Sequence, residues 1–499
     1  MRSDLAKVLH RAGGRTLLEH VIRACRPLKA AQLLVVVGHQ AEEVGAVAED
    51  LDAQAILQKP QRGTGHAMQV ARAAIRKSAK FALVVPGDAP LLRTESLSAL
   101  IETHRRGEAA ATVLSAELAD PTDYGRIVRD SEGRVEAIVE EKAATPEQRA
   151  IREVNSSIYC FTLEKLWPAL AALRPNNAHH ELYLTDVIAL LRQRSERVLA
   201  QVAGDANEIL GCNTRASLAD VDRIFRARKA DEMMAAGATI YLPETVVIDP
   251  EVTIGPDTVI EPCVQLLGET RIGARCKIQT GSVLHDVRVD DDVIVGAHCV
   301  ATASHLHAKA TIGPFSRLRP GADIRSGAHI GNFVEVKKSV VHEGAKAMHL
   351  TYLGDASVGR GSNIGAGTIT CNYDGAGKYR TTIGERVFIG SDTALVAPIR
   401  VGDGAYVAAG STLTENVPAD ALALARGRQV NKPGWARVRR KEMEAAKHEP
   451  KGRAGNKGSR QPKRGAKLRT KRGGAKKAAR RTNARTVTRR RAKSRGARR

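Results

Sequence analysis

Aromatic residues are scarce in this chain of 499 residues. They make up only 3% of the sequence, so any hydrophobic core must be built from Val, Ile, Leu and Ala. No run of about 18 apolar residues occurs, which excludes an ordinary transmembrane helix. The first residues, MRSDLAKVLHRAGG, lack the apolar centre of a signal peptide, so we do not expect secretion. Because 43% of the residues are hydrophobic, wholesale disorder is also excluded.

Paired cysteines are missing as well. The chain has seven cysteines, an odd number, and none forms a CxxC pair. This pattern argues against a disulfide framework or a cysteine zinc site. It predicts reduced thiols and a cytoplasmic protein, at positions 25, 160, 212, 263, 276, 299 and 371.

Acidic residues are absent from residues 451–499, which contain 22 Lys and Arg residues. The rest of the chain therefore carries only +2 of the formal net charge of +24. With almost no large apolar side chains, the basic segment cannot offset the entropy cost of ordering, and we expect it to be disordered. Two interpretations stay open, weak non-specific binding of polyanions and a solvated extension without a partner. The lack of aromatic residues argues against base stacking.

What the sequence does have is a six-residue period of aliphatic residues. This spacing fits neither an α-helix nor a half-buried strand. It is typical of a parallel β-helix, in which each short strand points one aliphatic residue inward. The positions are Ile248, Ile254, Ile260, Leu266, Ile272, Ile278 and Leu284, then Ile312, Leu318, Ile324, Ile330 and Val336, then Ile383, Ile389, Leu395, Val401, Val407 and Leu413.

The period lapses near 339–357 and 370–382, where we expect inserted loops that carry binding residues. Before the repeats, apolar runs at 32–38, 80–88 and 110–118 alternate with helical patterns at 15–25 and 65–78. This alternation favours a mostly parallel sheet covered by helices. Residues 216–237 read as an amphipathic linker helix whose methionines pack rather than bind.

Two features of the first part are candidate sites. Asp88 follows an apolar strand and a Pro-Gly turn, where a carboxylate suits Mg²⁺ or simply caps a turn. Residues 58–66, QKPQRGTGH, form a glycine-rich loop that runs into a helix and either holds an anion or is a plain loop.

Together these segments resemble the bacterial bifunctional N-acetylglucosamine-1-phosphate uridylyltransferase/glucosamine-1-phosphate acetyltransferases, over roughly residues 1–435. The N-terminal motifs are SDLAKVLH (3–10), QxxxxGTGHA (58–67), PGDAPL (86–91), DPTDYGRI (120–127) and IVEEK (138–142). The motifs of the second half are IGPFSRLRPG (312–321), GNFVEVKK (331–338), HLTYLGD (349–355) and NIGAGTITCNYDG (363–375).

For the N-terminal part, the resemblance implies a uridylyltransferase that joins UTP to N-acetylglucosamine 1-phosphate with Mg²⁺ and releases pyrophosphate. It makes Lys7 a catalytic, phosphate-contacting lysine and Asp88 and Asn213 the metal ligands. It places Gln58, Gly63 and Thr64 at the uracil, and Gly125, Glu140 and Asn155 at the amino sugar.

One departure concerns the start. The family opens with a strand and a glycine-rich loop, LAAGxGTRM, and Met1 aligns with the last residue of that motif. We expect that the recorded start is too late, and that the chain as written lacks a central strand and binds UTP poorly. The other interpretation is that the uridylyltransferase is inactive. Smaller departures are Ala6, Pro86 and Ser157, which stands where the family has Gly.

For the second half, the resemblance implies a left-handed β-helix that forms homotrimers and binds acetyl-CoA and glucosamine 1-phosphate. His349 matches the general base, a role that suits the near-neutral pKa of histidine. The glucosamine 1-phosphate residues are Arg319, Lys337, Tyr352 and Asn363. The acetyl-CoA residues are Ala366, Asn372, Tyr373, Lys378, Ser391, Ala409 and Arg426.

The sequence thus predicts a Rossmann-like nucleotidyltransferase domain (1–215), a linker helix (216–239), a left-handed β-helix (240–435) and a basic disordered tail (436–499). The predicted function is acetyl transfer followed by uridylyl transfer, giving UDP-N-acetylglucosamine for peptidoglycan and lipopolysaccharide precursors. An acetyltransferase with an inactive N-terminal domain is one alternative. A non-catalytic trimeric scaffold with polyanion-binding tails is another.

Overall fold

A computed structural model describes residues 1–175 and 180–448 of the protein. The chain divides into two compact units, Met1–Gly427 and Arg428–Arg499. Within the described ranges, no helix combines the length and apolar character that a membrane span needs. The basic segment 451–499 lies outside the described residues, so its disorder stays a prediction, as do the three boundaries between the four predicted segments.

The first half of unit 1 alternates short strands and helices, as the apolar runs predicted. Its strands are β1 (Arg11–Ala12), β2 (Arg15–Thr16), β3 (Leu34–Val37), β4 (Gln54–Leu57), β5 (Phe81–Val84), β6 (Ala111–Glu117), β7 (Arg126–Arg129), β8 (Val135–Val139), β9 (Glu153–Thr162) and β10 (Val198–Val202). Its α-helices are α1 (Leu17–Cys25), α2 (Ala41–Asp50), α3 (Thr64–Ala71), α4 (Thr94–Arg106), α5 (Pro146–Arg149), α6 (Leu163–Ala172), α7 (Asp186–Gln193) and α8 (Arg215–Ala235). Single 3₁₀ turns occur at Lys7–Leu9, Arg26–Leu28, Glu141–Ala143, Ala206–Ile209 and Pro243–Thr245.

The main sheet is mixed rather than mostly parallel. Strand β9 runs antiparallel to β5, β6 and β7, and β7 pairs antiparallel with β8, whereas β10 pairs parallel with β6. An apolar run shows that a strand is buried on both faces, but it does not reveal the direction of the neighbouring strand, which is why the sequence did not show this.

A gap separates β3 from β5. Strand β3 pairs in parallel with β4 in a two-stranded sheet of their own, while β5 belongs to the main sheet. Between them lies a cavity of about 1130 Å³, lined mainly by apolar side chains such as Val35, Met68 and Leu83.

Helix α8 covers most of the amphipathic pattern at 216–237. The Thr214 side chain caps its first turn by accepting a hydrogen bond from the Ser217 backbone N–H. At its other end Met233 is buried in the core of the repeats, which confirms that this methionine packs.

The second half of unit 1 is a rod of three parallel sheets with eleven, ten and nine strands within the described residues. Rod sheet 1 comprises Thr239–Ile240, Val259–Ile260, Lys277–Ile278, Ile294–Val295, Thr311–Ile312, His329–Asn332, Lys346–His349, Asn363–Ile364, Phe388–Ile389, Tyr406–Val407 and Leu422–Ala423. Rod sheet 2 comprises Val247–Ile248, Gln265–Leu267, Val283–His285, Val300–Thr302, Arg317–Leu318, Glu335–Lys337, Tyr352–Gly354, Ile369–Cys371, Ala394–Val396 and Thr412–Leu413. Rod sheet 3 comprises Thr253–Ile254, Arg271–Ile272, Arg288–Val289, His305–Leu306, Asp323–Ile324, Val340–Val341, Ala356–Val358, Thr381–Ile383 and Ile399–Val401.

Burial confirms the six-residue period. Every aliphatic position in the three runs is buried, and each belongs to the single core of the rod. Three strands complete one coil, so Ile260 lies beside Ile278 of the next coil. The parallel β-helix predicted from the repeats, and left-handed as the resemblance implied, is therefore the fold of this half.

The two lapses of the period have different causes. At the second, Val358 pairs with Ile383, and the additional residues form a loop that projects after Cys371. At the first lapse the strands continue, and Ile330 pairs with Ala347. This coil is one residue shorter than a regular coil of eighteen residues. The expectation of an inserted loop near 339–357 is therefore wrong. The period lapses there because one turn is a residue shorter, which breaks a strict six-residue spacing just as an insertion does.

Two further features bear on the predictions. All seven cysteines are free, as expected, and burial raises the pKa of Cys160 to about 12, which keeps this thiol protonated. The second unit contains helix α9 (Trp435–His448), so the tail predicted to start at 436 begins with a helix instead. Its Ala, Glu, Lys and Arg residues are good helix formers, and Arg439 and Glu442 pair one turn apart.

Candidate functional site

Three residues that lie far apart in the sequence meet beyond the end of β5. Lys7 lies in the first 3₁₀ turn, Asp88 follows β5, and Asn213 precedes α8. The Lys7 Nζ atom lies 2.5 Å from Asp88 Oδ2 and 2.9 Å from Asn213 Oδ1. The Cys212 N–H donates to the Asp88 backbone carbonyl at 3.1 Å, which ties the two segments together.

This arrangement suits a magnesium ion. A carboxylate oxygen and an amide oxygen converge on one point, and here the ammonium group of Lys7 is the cation between them. Hard oxygen ligands of this kind are those that Mg²⁺ prefers, with phosphate oxygens completing its coordination. Asp88 and Asn213 therefore fit the metal that the sequence implied.

The glycine-rich loop holds its predicted residues together. The Gln58 Nε2 atom donates to the Gly63 carbonyl at 3.0 Å, and the Thr64 hydroxyl accepts from the Leu184 N–H at 3.0 Å. Gly63 has a φ of +95°, and a Cβ atom there would lie 2.6 Å from the Leu182 carbonyl oxygen. Only glycine fits this turn, because both the backbone conformation and the space exclude a side chain.

The predicted sugar residues also meet. The Asn155 N–H donates to the Gly125 carbonyl at 2.8 Å, and a Cβ atom on Gly125 would lie 3.5 Å from Glu140 Oε2. Glu140 accepts a hydrogen bond of 3.2 Å from the Thr185 hydroxyl. Burial raises the pKa of the Glu140 carboxyl, since desolvation disfavours its charged form.

Ser157, which stands where the family has glycine, adopts a backbone conformation that glycine favours. Its φ is +61°, a left-handed conformation that glycine adopts without strain. The Ser157 N–H donates to Asn155 Oδ1 at 3.1 Å, so this turn holds the Asn155 side chain in place. Thr185 and the buried Tyr159, which line the same cavity as Glu140, were missed because no motif marks them.

On the rod, three cationic side chains converge. Arg319 and Lys337 follow the paired residues Leu318 and Val336 of neighbouring coils in rod sheet 2. The pKa of Lys337 is lowered, first by the close approach of the Lys378 ammonium group and then by the charge of Arg319. Mutual repulsion of this kind favours a multiply charged anion, such as a phosphate, between the three cations.

Two carboxylates near this cluster were missed by the sequence analysis. Glu335 Oε1 accepts from Arg319 Nη1 at 2.9 Å, and Asp355 Oδ2 accepts from Asn372 Nδ2 at 2.5 Å. The charge of Asp355 also raises the pKa of Lys337, in opposition to Lys378. Both lie within the family motifs, and that position is the signal that could have identified them.

The projecting loop after Cys371 contains the predicted residues Asn372, Tyr373 and Lys378. Tyr373 and Lys378 form an antiparallel bridge, and Asp374 Oδ1 accepts the N–H groups of the turn between them. The loop thereby brings Lys378 to Lys337. The Tyr352 hydroxyl lies over Gly354, where a Cβ atom would approach it to 2.4 Å.

His349 and three predicted coenzyme A residues form one column along a corner of the rod. Ala347, Ile364, Ile389 and Val407 pair in succession in rod sheet 1. Two residues after them lie His349, Ala366, Ser391 and Ala409. Arg426 joins the column by donating from Nη1 to the Ala409 carbonyl at 2.9 Å.

The corner separates two groups of predicted residues. His349 is exposed at the end of its strand in rod sheet 1, and Asn363 lies in the next strand of that sheet, beside Lys346. The next strand along the chain starts three residues after His349, at Tyr352, and belongs to rod sheet 2. Lys337 lies in the same sheet, and Arg319 directly follows one of its strands. This corner thus places the His349 imidazole between two groups of residues. One is the cationic face, formed by Arg319, Lys337 and Lys378, and the other is the column of small residues.

Comparisons with known proteins agree with both halves. The model of the MobA-like NTP transferase domain matches residues 1–183, and that of the hexapeptide repeat of succinyl-transferase matches residues 380–415. The protein "Bifunctional protein GlmU" of Koribacter versatilis is 48% identical over 90% of this chain and 96% of its own length. Proteins of the same name from Solibacter usitatus and Pelobacter propionicus are 50% and 46% identical, over 88% and 89% of this chain and 95% and 96% of their own lengths. The chain therefore belongs to the GlmU family of bifunctional enzymes, which catalyse uridylyl transfer and acetyl transfer.

Proposed function

We propose that the rod transfers the acetyl group of acetyl-CoA to the amine of glucosamine 1-phosphate. The observation that carries this proposal is the cluster of Arg319, Lys337 and Lys378, whose repulsion lowers the pKa of Lys337. A phosphate dianion would neutralise these charges, while Tyr352 and Asn363 hold the sugar. Acetyl-CoA would lie along the column of Ala366, Ser391 and Ala409, with Asn372, Tyr373 and Arg426 as further contacts. The resemblance assigned Lys378 to acetyl-CoA, and its approach to Lys337 is the reason why we assign it to the phosphate instead.

His349 would act as the general base. The ammonium form of the sugar has no lone pair, so its proton must leave before the nitrogen attacks the thioester. His349 accepts this proton, the new N–C bond forms, and the C–S bond breaks with coenzyme A as the leaving group. The proton on the imidazole then neutralises the departing thiolate.

In the N-terminal half, a phosphate oxygen of N-acetylglucosamine 1-phosphate would attack the α-phosphorus of UTP, and pyrophosphate would leave. Positioning and positive charge suffice for this step, since no covalent enzyme intermediate is needed. Lys7 would contact the phosphates, and Asp88 and Asn213 would hold Mg²⁺, which supplies charge neutralisation when bound. Gln58, Gly63 and Thr64 would bind uracil, and Gly125, Glu140 and Asn155 the sugar.

The assembly and location are part of the same proposal. Hexapeptide rods of this family suggest a homotrimer, in which neighbouring rods share the acetyltransferase site. We place the protein in the cytoplasm, where the free thiols stay reduced. The basic segment 451–499 would add weak, salt-sensitive binding of polyanions.

Two assays on the full chain test the two reactions separately. We expect His349→Ala to abolish release of coenzyme A with glucosamine 1-phosphate and Asp88→Asn to leave that release unchanged. Whatever pyrophosphate the chain forms from UTP should be the same in His349→Ala and lost in Asp88→Asn. His342→Ala is a matched control in the same rod, because its imidazole contacts Ser357 rather than the cationic face. Release of coenzyme A by His349→Ala at the normal rate would refute the base assignment.

The same assays separate the alternatives. Acetyl transfer without pyrophosphate formation by the unmodified chain would favour an acetyltransferase with an inactive N-terminal half. Absence of both activities in a folded trimer would favour a scaffold.

A further inference from the structure

A cluster of histidine and aspartate side chains lies on rod sheet 3, apart from the residues assigned to either reaction. Asp290 follows the strand Arg288–Val289, and His305 and His307 flank the buried Leu306 of the next coil. Because Leu306 points inward, its two neighbours project from the outer surface of the rod. All three polar side chains are half-buried, with between 18% and 28% of each exposed.

The three side chains already have the spacing of a metal site. The His305 Nε2 atom lies 3.0 Å from Asp290 Oδ1, and the His307 Nδ1 atom lies 3.4 Å from Asp290 Oδ2. One ligand atom from each residue can be chosen such that all lie within 4.8 Å of one another. Ligands bound tetrahedrally to Zn²⁺ at about 2.0–2.1 Å are separated by about 3.4 Å, so little movement would be needed.

A fourth residue orients one of the imidazoles. The His307 Nε2 atom lies 2.9 Å from Asp323 Oδ1, and Asp323 is itself paired with Arg325 at 2.7 Å. If Nε2 carries the proton and donates it to Asp323, the lone pair of Nδ1 points towards Asp290. Histidines that bind metals commonly have such a carboxylate on the opposite nitrogen, which fixes the tautomer and increases the basicity of the ligand.

The charges around the cluster admit a cation. A lone pair that faces a carboxylate at 3.4 Å is repulsive unless a proton or a metal lies between the two atoms. Arg288 approaches Asp290 at 3.3 Å, but its side chain is 71% exposed and can turn to solvent without losing packing. The alternative to a metal is a doubly protonated His307 that bridges Asp290 and Asp323.

We propose that Asp290, His305 and His307 form a binding site for a divalent first-row transition ion, with Asp323 as the carboxylate that orients His307. Two imidazoles and one carboxylate suit Zn²⁺ and leave a fourth position for water. The ligands come from successive coils, so a bound ion would clip these coils together. This role is independent of acetyl and uridylyl transfer.

The test is titration of the purified full chain with ZnCl₂ by calorimetry, together with absorption spectra after addition of Co²⁺. Because Asp88 and Asn213 could also bind a divalent ion, all titrations use chains that carry Asp88→Asn. In this background we expect one ion per chain and the visible spectrum of tetrahedral Co²⁺. The double variant H305A/H307A should lose at least 100-fold in affinity. D323N should lose about 10–100-fold, because the orienting carboxylate is removed while its shape is kept.

Controls make the result decisive. His285→Ala removes a half-exposed imidazole that also lies beside a carboxylate, Asp286 at 3.6 Å, and it should bind as tightly as the wild type. If H305A/H307A fails to fold, H305Q/H307Q replaces it, since glutamine fills the space without an imidazole. Equal affinity of the wild type and the double variant would overturn the proposal, because the metal would then be bound elsewhere, for example at the exposed Cys263. Absence of binding by the wild type would overturn it as well and favour the protonated bridge.

Discussion

Replacing Lys337 by methionine removes one of the three cations proposed to bind the sugar phosphate while keeping most of the side-chain volume. A hydrogen bond between charged groups contributes about 1.5–3 kcal/mol, and 1.4 kcal/mol corresponds to a factor of ten. We therefore expect the KM for glucosamine 1-phosphate to rise about 10–100-fold. The KM for acetyl-CoA should not change, because Lys337 lies on the cationic face and not on the column of small residues.

The electrostatics of the cluster add a second expectation. Lys378 and Arg319 lower the pKa of Lys337, so the free enzyme loses this proton at a lower pH than an ordinary lysine would. A bound phosphate dianion raises the pKa again. The KM for the sugar phosphate should therefore increase with rising pH through the lowered pKa of Lys337, and this component should be absent from the variant.

Initial rates of coenzyme A release over a range of glucosamine 1-phosphate concentrations measure this effect. Lys277→Met is the control, since Lys277 lies on the same rod but pairs with Glu261 at 3.4 Å. A KM within twofold of the wild-type value in Lys337→Met would refute the phosphate assignment. An equal rise in the KM for acetyl-CoA would instead indicate a general distortion of the site.

Three further predictions concern packing and charge. Ile324→Ala should lower the free energy of unfolding by about 2–5 kcal/mol in urea titrations, while Ile294→Ala, at an exposed position of the same rod, should change it by about 0.5 kcal/mol or less. Burial raises the pKa of Glu140, so the folded wild type binds more protons than the unfolded chain and loses stability as the pH rises through that pKa. The melting temperature of Glu140→Gln should therefore increase relative to that of the wild type with rising pH. Parallel profiles of melting temperature against pH would contradict this. Gly354→Ala should displace the Tyr352 hydroxyl and raise the KM for glucosamine 1-phosphate, whereas an unchanged KM would show that Tyr352 does not hold the sugar.

The candidate sites show how far sequence reasoning reaches. Lys7, Asp88 and Asn213, which the resemblance assigned to one site, lie close together in the structure. The resemblance could identify them although they are far apart in the sequence. Thr185, Glu335 and Asp355 contact these sites and were missed. Glu335 and Asp355 lie within family motifs, which could have identified them, whereas Thr185 lies in none. A side chain that orients another needs only the right distance, and separate strands leave no fixed sequence spacing between such partners.

The rod itself could be predicted from the sequence alone. Each coil must bury an aliphatic residue on each of its three sides, and in a regular coil of eighteen residues this demand recurs every six residues. Outward positions are under no such demand and therefore show no period. Only the tertiary structure decided which of them meet, because coil lengths vary: Ile260 pairs with Ile278, Val289 with Leu306, and Val358 with Ile383. That three-dimensional register brings Lys378 to Lys337, and His305 and His307 to Asp290.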